Sequence, residues 1–144
     1  MGGSIIRERF AEKWITYILA FIDNFTMEDG VPIYQQIVLF LKRGMVSGAV
    51  EHGAELPSRR TLSALLGVNP NTIQKAYRIL EEEGLIQSHA GAKSYVSIGP
   101  GTVEHLRSEL LREDIRSLVT AMRQTGVNKE TALQLISELW EESI

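Results

Sequence analysis

Residues 69–78 read NPNTIQKAYR, and six of them, Asn69, Asn71, Thr72, Gln74, Lys75 and Arg78, are amides, a hydroxyl and two cations with no carboxylate among them. A solvated surface helix normally mixes both signs of charge. These side chains suit an anionic partner rich in hydrogen-bonding groups. Amides bond base edges in pairs, hydroxyls bond bases or phosphates, and Lys and Arg neutralise phosphates. The unpaired N–H groups at a helix N-terminus add donors and a positive end, where a carboxylate would be repelled by a polyanion. The acid-free window is wider than this stretch: residues 56–80 hold four cations, Arg59, Arg60, Lys75 and Arg78, and no Asp or Glu.

Other chemistries are poorly served. With no cysteine in the chain, neither a disulfide framework nor a thiolate metal site can form. His52, His89 and His105 are scattered without metal-ligand spacing. There is no nucleophile–base pair, carboxylate dyad or phosphate-cradling glycine loop, so an enzyme is not expected and no cofactor is called for. The net charge of −3 seems to oppose a nucleic-acid role, but its distribution does not. Residues 1–30 carry 3 basic against 5 acidic side chains, residues 31–98 carry 7 against 5, and residues 99–144 carry 5 against 8. Screening limits distant charges to a reach of about 8 Å at physiological salt, so a local basic face on an acidic chain still attracts a polyanion.

At 144 residues the chain is expected to hold one domain, or one small domain and an appendage. The longest apolar run, 14–22, falls well short of the ~20 residues of a membrane helix. Glu8 and Glu12 precede it and no small-residue cleavage site follows, so it does not read as a secretory signal. A soluble cytoplasmic protein with no membrane partner is the expectation.

The elements that must carry the acid-free stretch follow from periodicity and punctuation. Residues 5–22 space Ile6, Phe10, Trp14, Ile18 and Ile22 as an amphipathic helix, although YILAFID also suits a short strand. Pro32 opens a helix whose apolar face is Ile33, Ile37, Phe40, Leu41 and Met45, stopped at Gly48. EHGAE reads as a loop. Ser58 caps a short helix carrying Leu62, Leu65 and Leu66, with Gly67 just past its end. Asn69 caps the next, with Pro70 in its first position, Ile73, Ala76, Tyr77 and Leu80 facing inward, and Gly84 ending it. The period then changes to alternation on both sides of 90–92, the pattern of a β-hairpin. GPGT at 99–102 reads as a linker with Thr102 as the following N-cap. Beyond it lie an apolar stripe of Leu106, Leu110, Ile115, Leu118 and Met122, a stop at Gly126, and a final helix capped by Asn128 with Leu135, Ile136, Leu139 and Trp140.

Three helices followed by a hairpin, with a tight LLGVN turn between the second and third, is the order of a winged helix-turn-helix. The expected fold is mainly α with a small β-hairpin wing, plus a C-terminal two-helix hairpin. The stretch 56–96, LPSRRTLSALLGVNPNTIQKAYRILEEEGLIQSHAGAKSYV, resembles the GntR family of bacterial transcription regulators, as does GVPIYQQI at 30–37. The NPNTIQKAY version is similar to the YtrA subfamily, and also to the DNA-binding part of MocR regulators, whose aminotransferase-like domain could not fit in the 46 residues after residue 98. The resemblance covers about 30–142. It implies that Arg60 contacts DNA from the second helix, that Asn69, Asn71, Thr72 and Gln74 open the recognition helix, and that Gly91 at the wing tip enters the minor groove. The wing departs from the family's commoner Arg-Gly-x-Gly-Thr, with Ala92 in place of the second glycine and Lys93 able to reach a phosphate. Ser58, Arg59, Lys75 and Arg78 complete the expected DNA-binding set.

The expected organisation is an N-terminal extension at 1–26, a DNA-binding domain at 27–98 and a dimerisation domain at 99–144. The C-terminal stripes need burial that two helices alone do not supply, and a symmetric homodimer supplies it by presenting the same stripe twice. The expected dimerisation residues are Leu106, Leu110, Ile115, Leu118, Met122, Leu135, Ile136, Leu139 and Trp140. A dimer brings two half-sites and favours a palindromic double-stranded DNA operator, with repression the expected outcome. A small-molecule effector is compatible with this plan but no site for one is visible. The alternative is a winged-helix protein-interaction module that turns the same basic face to an acidic partner.

Overall fold

The computed structural model describes residues 30–89 and 93–142. The helix expected over 5–22 and the wing tip at Gly91 lie outside the described residues. The described elements are α1 (Ile33–Ser47), α2 (Arg59–Leu66), α3 (Pro70–Glu82), β1 (Ile86–His89), β2 (Lys93–Val96), α4 (Pro100–Gln124) and α5 (Lys129–Glu142). They fall into two compact units that divide between Leu106 and Arg107.

The first unit is built around α3, which packs on α1 and α2 and touches β1. Ile37 and Leu41 from α1, Leu62 from α2 and Ile73, Ala76 and Leu80 from α3 are all fully buried. Local chemistry sets the helix ends. Ser58 Oγ accepts the Thr61 N–H at 3.1 Å, and Asn69 Oδ1 accepts the Asn71 N–H at 2.8 Å. Each cap satisfies a backbone donor that the helix itself leaves unpaired. Between α2 and α3 the chain must reverse within three residues. Gly67 does this in the left-handed region at φ 68, its N–H returning to Ser63 O, a conformation that costs other residues more.

The strands pair antiparallel, Ile86 opposite Val96 and His89 opposite Lys93. The segment expected as a plain loop, 51–55, instead runs along the outer side of β2. Gly53 N–H donates to Val96 O at 2.8 Å, Val96 N–H to Ala54 O at 2.9 Å and Leu56 N–H to Ser94 O at 2.8 Å. The wing is thereby tied to the stretch that leads into α2.

The linker expected at 99–102 is not a break. α4 begins at Pro100, with Val103 N–H donating to Gly99 O at 3.0 Å, so Gly99 rather than Thr102 stands at the cap. Proline in the first turn loses no hydrogen bond, which lets the helix start inside a Gly-Pro-Gly sequence. Leu106, expected on the association stripe, is 4% exposed and lies on the first unit's side of the division. Leu110 and Met122 are half-buried, whereas Ile115, Leu118, Leu135, Ile136, Leu139 and Trp140 are exposed, Trp140 at 70%. Gly126 reverses the chain at φ 77, and Asn128 Oδ1 caps α5 through the Thr131 N–H at 2.8 Å. Among the described residues no helix is long and apolar enough to cross a membrane.

Candidate nucleic-acid interface

α3 separates its side chains cleanly. Ile73, Ala76, Tyr77 and Leu80 are buried, while Asn71, Lys75 and Arg78 are exposed and Thr72 and Gln74 half-exposed. No acidic residue stands in the first turn of α2 or of α3. The carboxylates of α3 and its cap are gathered at the far end, Glu81, Glu82 and Glu83, where Glu83 pairs with Lys42 of α1 at 2.7 Å. One helix thus carries a donor-rich, positive N-terminal half and an acidic C-terminal end. A polyanion meets it favourably from the N-terminal side alone.

Tyr77 locks this helix against the start of α2. Its ring is buried and its hydroxyl donates to Pro57 O at 2.7 Å, directly before the Ser58 cap. Burial pushes the phenol's pKa well above its ordinary value, and the nearby Arg59 guanidinium only partly opposes the shift. Tyr77 is therefore a neutral structural donor. Arg59 is half-buried, and its Nε is buried without a hydrogen-bond partner. Arg60 is exposed, and its carbonyl accepts from Ser63 Oγ at 2.8 Å.

Several of the expected contact residues are already engaged, Asn69 through its cap on α3 among them. Ser58 Oγ, besides capping α2, donates to Thr61 Oγ1 at 2.8 Å. Lys93 opens β2 opposite His89, at the turn end of the wing, and pairs with Glu55 at 3.7 Å, both side chains largely exposed. Such a pair is worth ~1 kcal/mol at most, so a phosphate competes with it readily. Nothing in residue type or spacing singles out Tyr34, whose ring lies under Lys75 with the ammonium 4.0 Å from its centroid. Their separation along the chain hides the pairing from any local pattern.

Among the described residues no group of three or more His, Cys, Asp or Glu could hold a metal ion. His52 Nδ1 accepts the Ile98 N–H at 3.0 Å, and His89 meets Tyr95 edge-on at 5.1 Å. Both histidines border an open cleft of about 410 Å³ on the outer face of the hairpin, with Gln87 and Ser97.

The comparisons agree with this geometry. The family model described as "Bacterial regulatory proteins, gntR family" matches residues 33–96, from the start of α1 to the end of β2. The HTH-type transcriptional repressor YtrA of Bacillus subtilis is 33% identical over 109 residues, which are 75% of this chain and 84% of that protein. The chain belongs to the GntR family. It is a DNA-binding transcription regulator of the YtrA-like kind and not an enzyme. The uncharacterized regulator YhcF of Bacillus subtilis is 32% identical over 120 residues, 83% of this chain and 98% of that one. A solved GntR family transcriptional regulator from Listeria monocytogenes superposes with a TM-score of 0.71 at 33% identity, covering 78% of this chain and 98% of its own. Both similarities extend beyond the winged helix into the C-terminal helices.

Proposed function

We propose that this family member is a homodimeric, sequence-specific repressor that binds a palindromic operator, with the N-terminal half of α3 in the major groove and the wing in the minor groove. The observation that carries the reading is the two-sided α3. Its apolar side is fully spent on the core, while its amide, hydroxyl and cationic side is turned outward, with Asn71, Lys75 and Arg78 exposed. Asn71, Thr72 and Gln74 read bases. Ser58, Arg59, Arg60, Asn69, Lys75, Arg78 and Lys93 hold the backbone, and Gly91 allows the wing tip to approach closely. Residues 27–98 form the DNA-binding domain and 99–144 the dimerisation domain, where Ile115, Leu118, Leu135, Ile136, Leu139 and Trp140 meet their copies in a partner. Similarity to a protein named as a repressor supports repression over activation. The outer cleft at His52 and His89 is too open to enclose a ligand as effector pockets do, so the proposal includes no effector.

The test is fluorescence-anisotropy binding to duplexes tiling the upstream region of the protein's own gene, at two salt concentrations. One tile should bind far more tightly than the rest, with log K falling by about 0.9 per phosphate contact for each decade of salt. Asn71→Ala or Thr72→Ala should relax selectivity at one base position by about 1–3 kcal/mol. Equal weak binding to every tile, unaltered by either substitution, would favour a protein-interaction module working through Arg60 and Lys75 as charges.

A further inference from the structure

The Lys75 ammonium sits over the Tyr34 ring at 4.0 Å from its centroid. Tyr34 is half-buried in the first turn of α1, and its hydroxyl accepts the Gln35 amide N–H at 3.2 Å. Lys75 is exposed and has no carboxylate partner among the described residues. A lone lysine on a solvated helix would sample many rotamers, and binding a phosphate would cost it that freedom. The aromatic face attracts the cation without neutralising it. The N–H groups turned away from the ring remain available to an anion.

We propose that Tyr34 is a positioning residue of the DNA interface: its ring holds the Lys75 ammonium in place for one backbone phosphate, so that α1 takes part in DNA binding without itself reading sequence. This rests on the reading of α3 as the DNA-facing helix. It gives the first turn of α1 a functional role, because Tyr34 stands there beside the recognition helix.

The experiment is a double-mutant cycle read by anisotropy with a mixed-sequence fluorescein-labelled duplex of about 20 base pairs, across a salt series. Circular dichroism melts check each variant for folding. Lys75→Gln should weaken binding and lower the salt slope by about 1. Tyr34→Leu should weaken binding about two- to fivefold for each protomer on the duplex when Lys75 is present, and have no effect in the Lys75→Gln background. Tyr34→Phe, which keeps the ring face, should bind like the natural protein. Additive losses from Tyr34→Leu and Lys75→Gln would overturn the positioning role while leaving Lys75 as a phosphate contact. So would a loss in Tyr34→Phe equal to that in Tyr34→Leu, because the hydroxyl would then be the acting group. An unchanged affinity and salt slope in Lys75→Gln would overturn the DNA-facing reading of Lys75 itself, and with it the proposal.

Discussion

The two compact units use the same kinds of residue to opposite ends. In the first, apolar side chains from α1, α2, α3 and the hairpin close on one another, and Ile37, Leu41, Leu62, Ile73 and Leu80 are all at 0% exposure. In the second, α5 buries only Ala132, while Leu139 is 57% and Ile115 49% exposed. Composition does not separate them, since both are rich in Leu and Ile. The difference is dimensionality. A helix can hide its stripe only if other elements meet it from several directions, and the described residues of the first unit form three helices and a sheet where those of the second form two helices. The first unit's unspent surface is polar and is expected to meet DNA. The second unit's unspent surface is apolar and is expected to meet its own copy.

That contrast breaks most forcefully in the tail. Ile115→Asp combined with Leu139→Asp would place four carboxylates in a twofold interface, two from each protomer. The expected loss is about 4 kcal/mol of association, a thousandfold in Kd. Sedimentation velocity should then show monomers at concentrations where the natural chain is dimeric, and operator affinity should fall with dimerisation. The melting of the first unit should hardly change. A variant that unfolds as a whole would mean that the tail's stripe supports the fold and not an assembly.

The counterpart in the first unit is Ile73→Ala. Ile73 is fully buried on the inner side of α3, and removing most of its side chain should cost about 3 kcal/mol in denaturant-induced unfolding, within the usual 2–5 kcal/mol for such cavities. DNA binding should survive wherever the variant is folded, because Ile73 does not reach the outer side. Loss of binding in a folded Ile73→Ala protein would blur the division between the inner and outer sides of α3.

How much of this was legible in the sequence depends on the range of each interaction. The caps at Ser58, Asn69 and Asn128 and the helix stops at Gly48, Gly67 and Gly126 all stand where residue types alone place them. Each rests on hydrogen bonds or backbone angles within about five residues, so neighbouring letters contain the whole cause. The start of α4 was misplaced because two local rules conflict. Thr102 is a good cap, but Pro100 is a good first residue, and the carbonyl of Gly99 served. Leu106 could not be told from the rest of the stripe by period, since its burial depends on the first unit's surface. The pairing of 53–56 with β2, the Tyr77–Pro57 bond and the Tyr34–Lys75 contact join segments distant in sequence, for which no spacing rule exists. Tyr77 was legible as a core ring, but its hydrogen-bond partner was not.

That hydrogen bond sharpens the comparison, because it is a buried polar contact in the unit that otherwise closes by apolar packing. Tyr77→Phe leaves Pro57 O without its donor and should cost about 1–2 kcal/mol near neutral pH. The two proteins should also differ in alkaline solution. Above the ordinary phenol value of 10.0 an unfolded Tyr77 loses its proton, while the buried one, with its pKa raised mainly by desolvation, keeps it. The unfolded state then binds fewer protons than the native state, so stability falls as pH rises. The natural protein's advantage over Tyr77→Phe should hold up to about pH 9 and shrink from there to pH 11, by up to ~1.4 kcal/mol per unit above 10. An advantage independent of pH would mean that the phenol ionises as readily folded as unfolded, and that water reaches it.

The smallest expected effect on stability tests where the cap ends and the DNA contact begins. Asn69 is exposed, with its Oδ1 spent on the Asn71 N–H at 2.8 Å, which leaves its amide hydrogens to face outward. Asn69→Asp keeps the acceptor and adds a negative charge at the positive end of α3. Thermal stability should therefore stay the same or rise by about 0.5 kcal/mol. The same charge faces the phosphates of a bound duplex, so DNA affinity should drop about tenfold at low salt, with the loss diminishing as salt is raised. Asn69→Ala reverses the pattern, losing about 1 kcal/mol of stability with the cap while introducing no repulsion. If Asn69→Asp binds DNA as well as the natural protein, the N-terminus of α3 does not approach the backbone, and its polar residues close the fold of the first unit just as its apolar ones do.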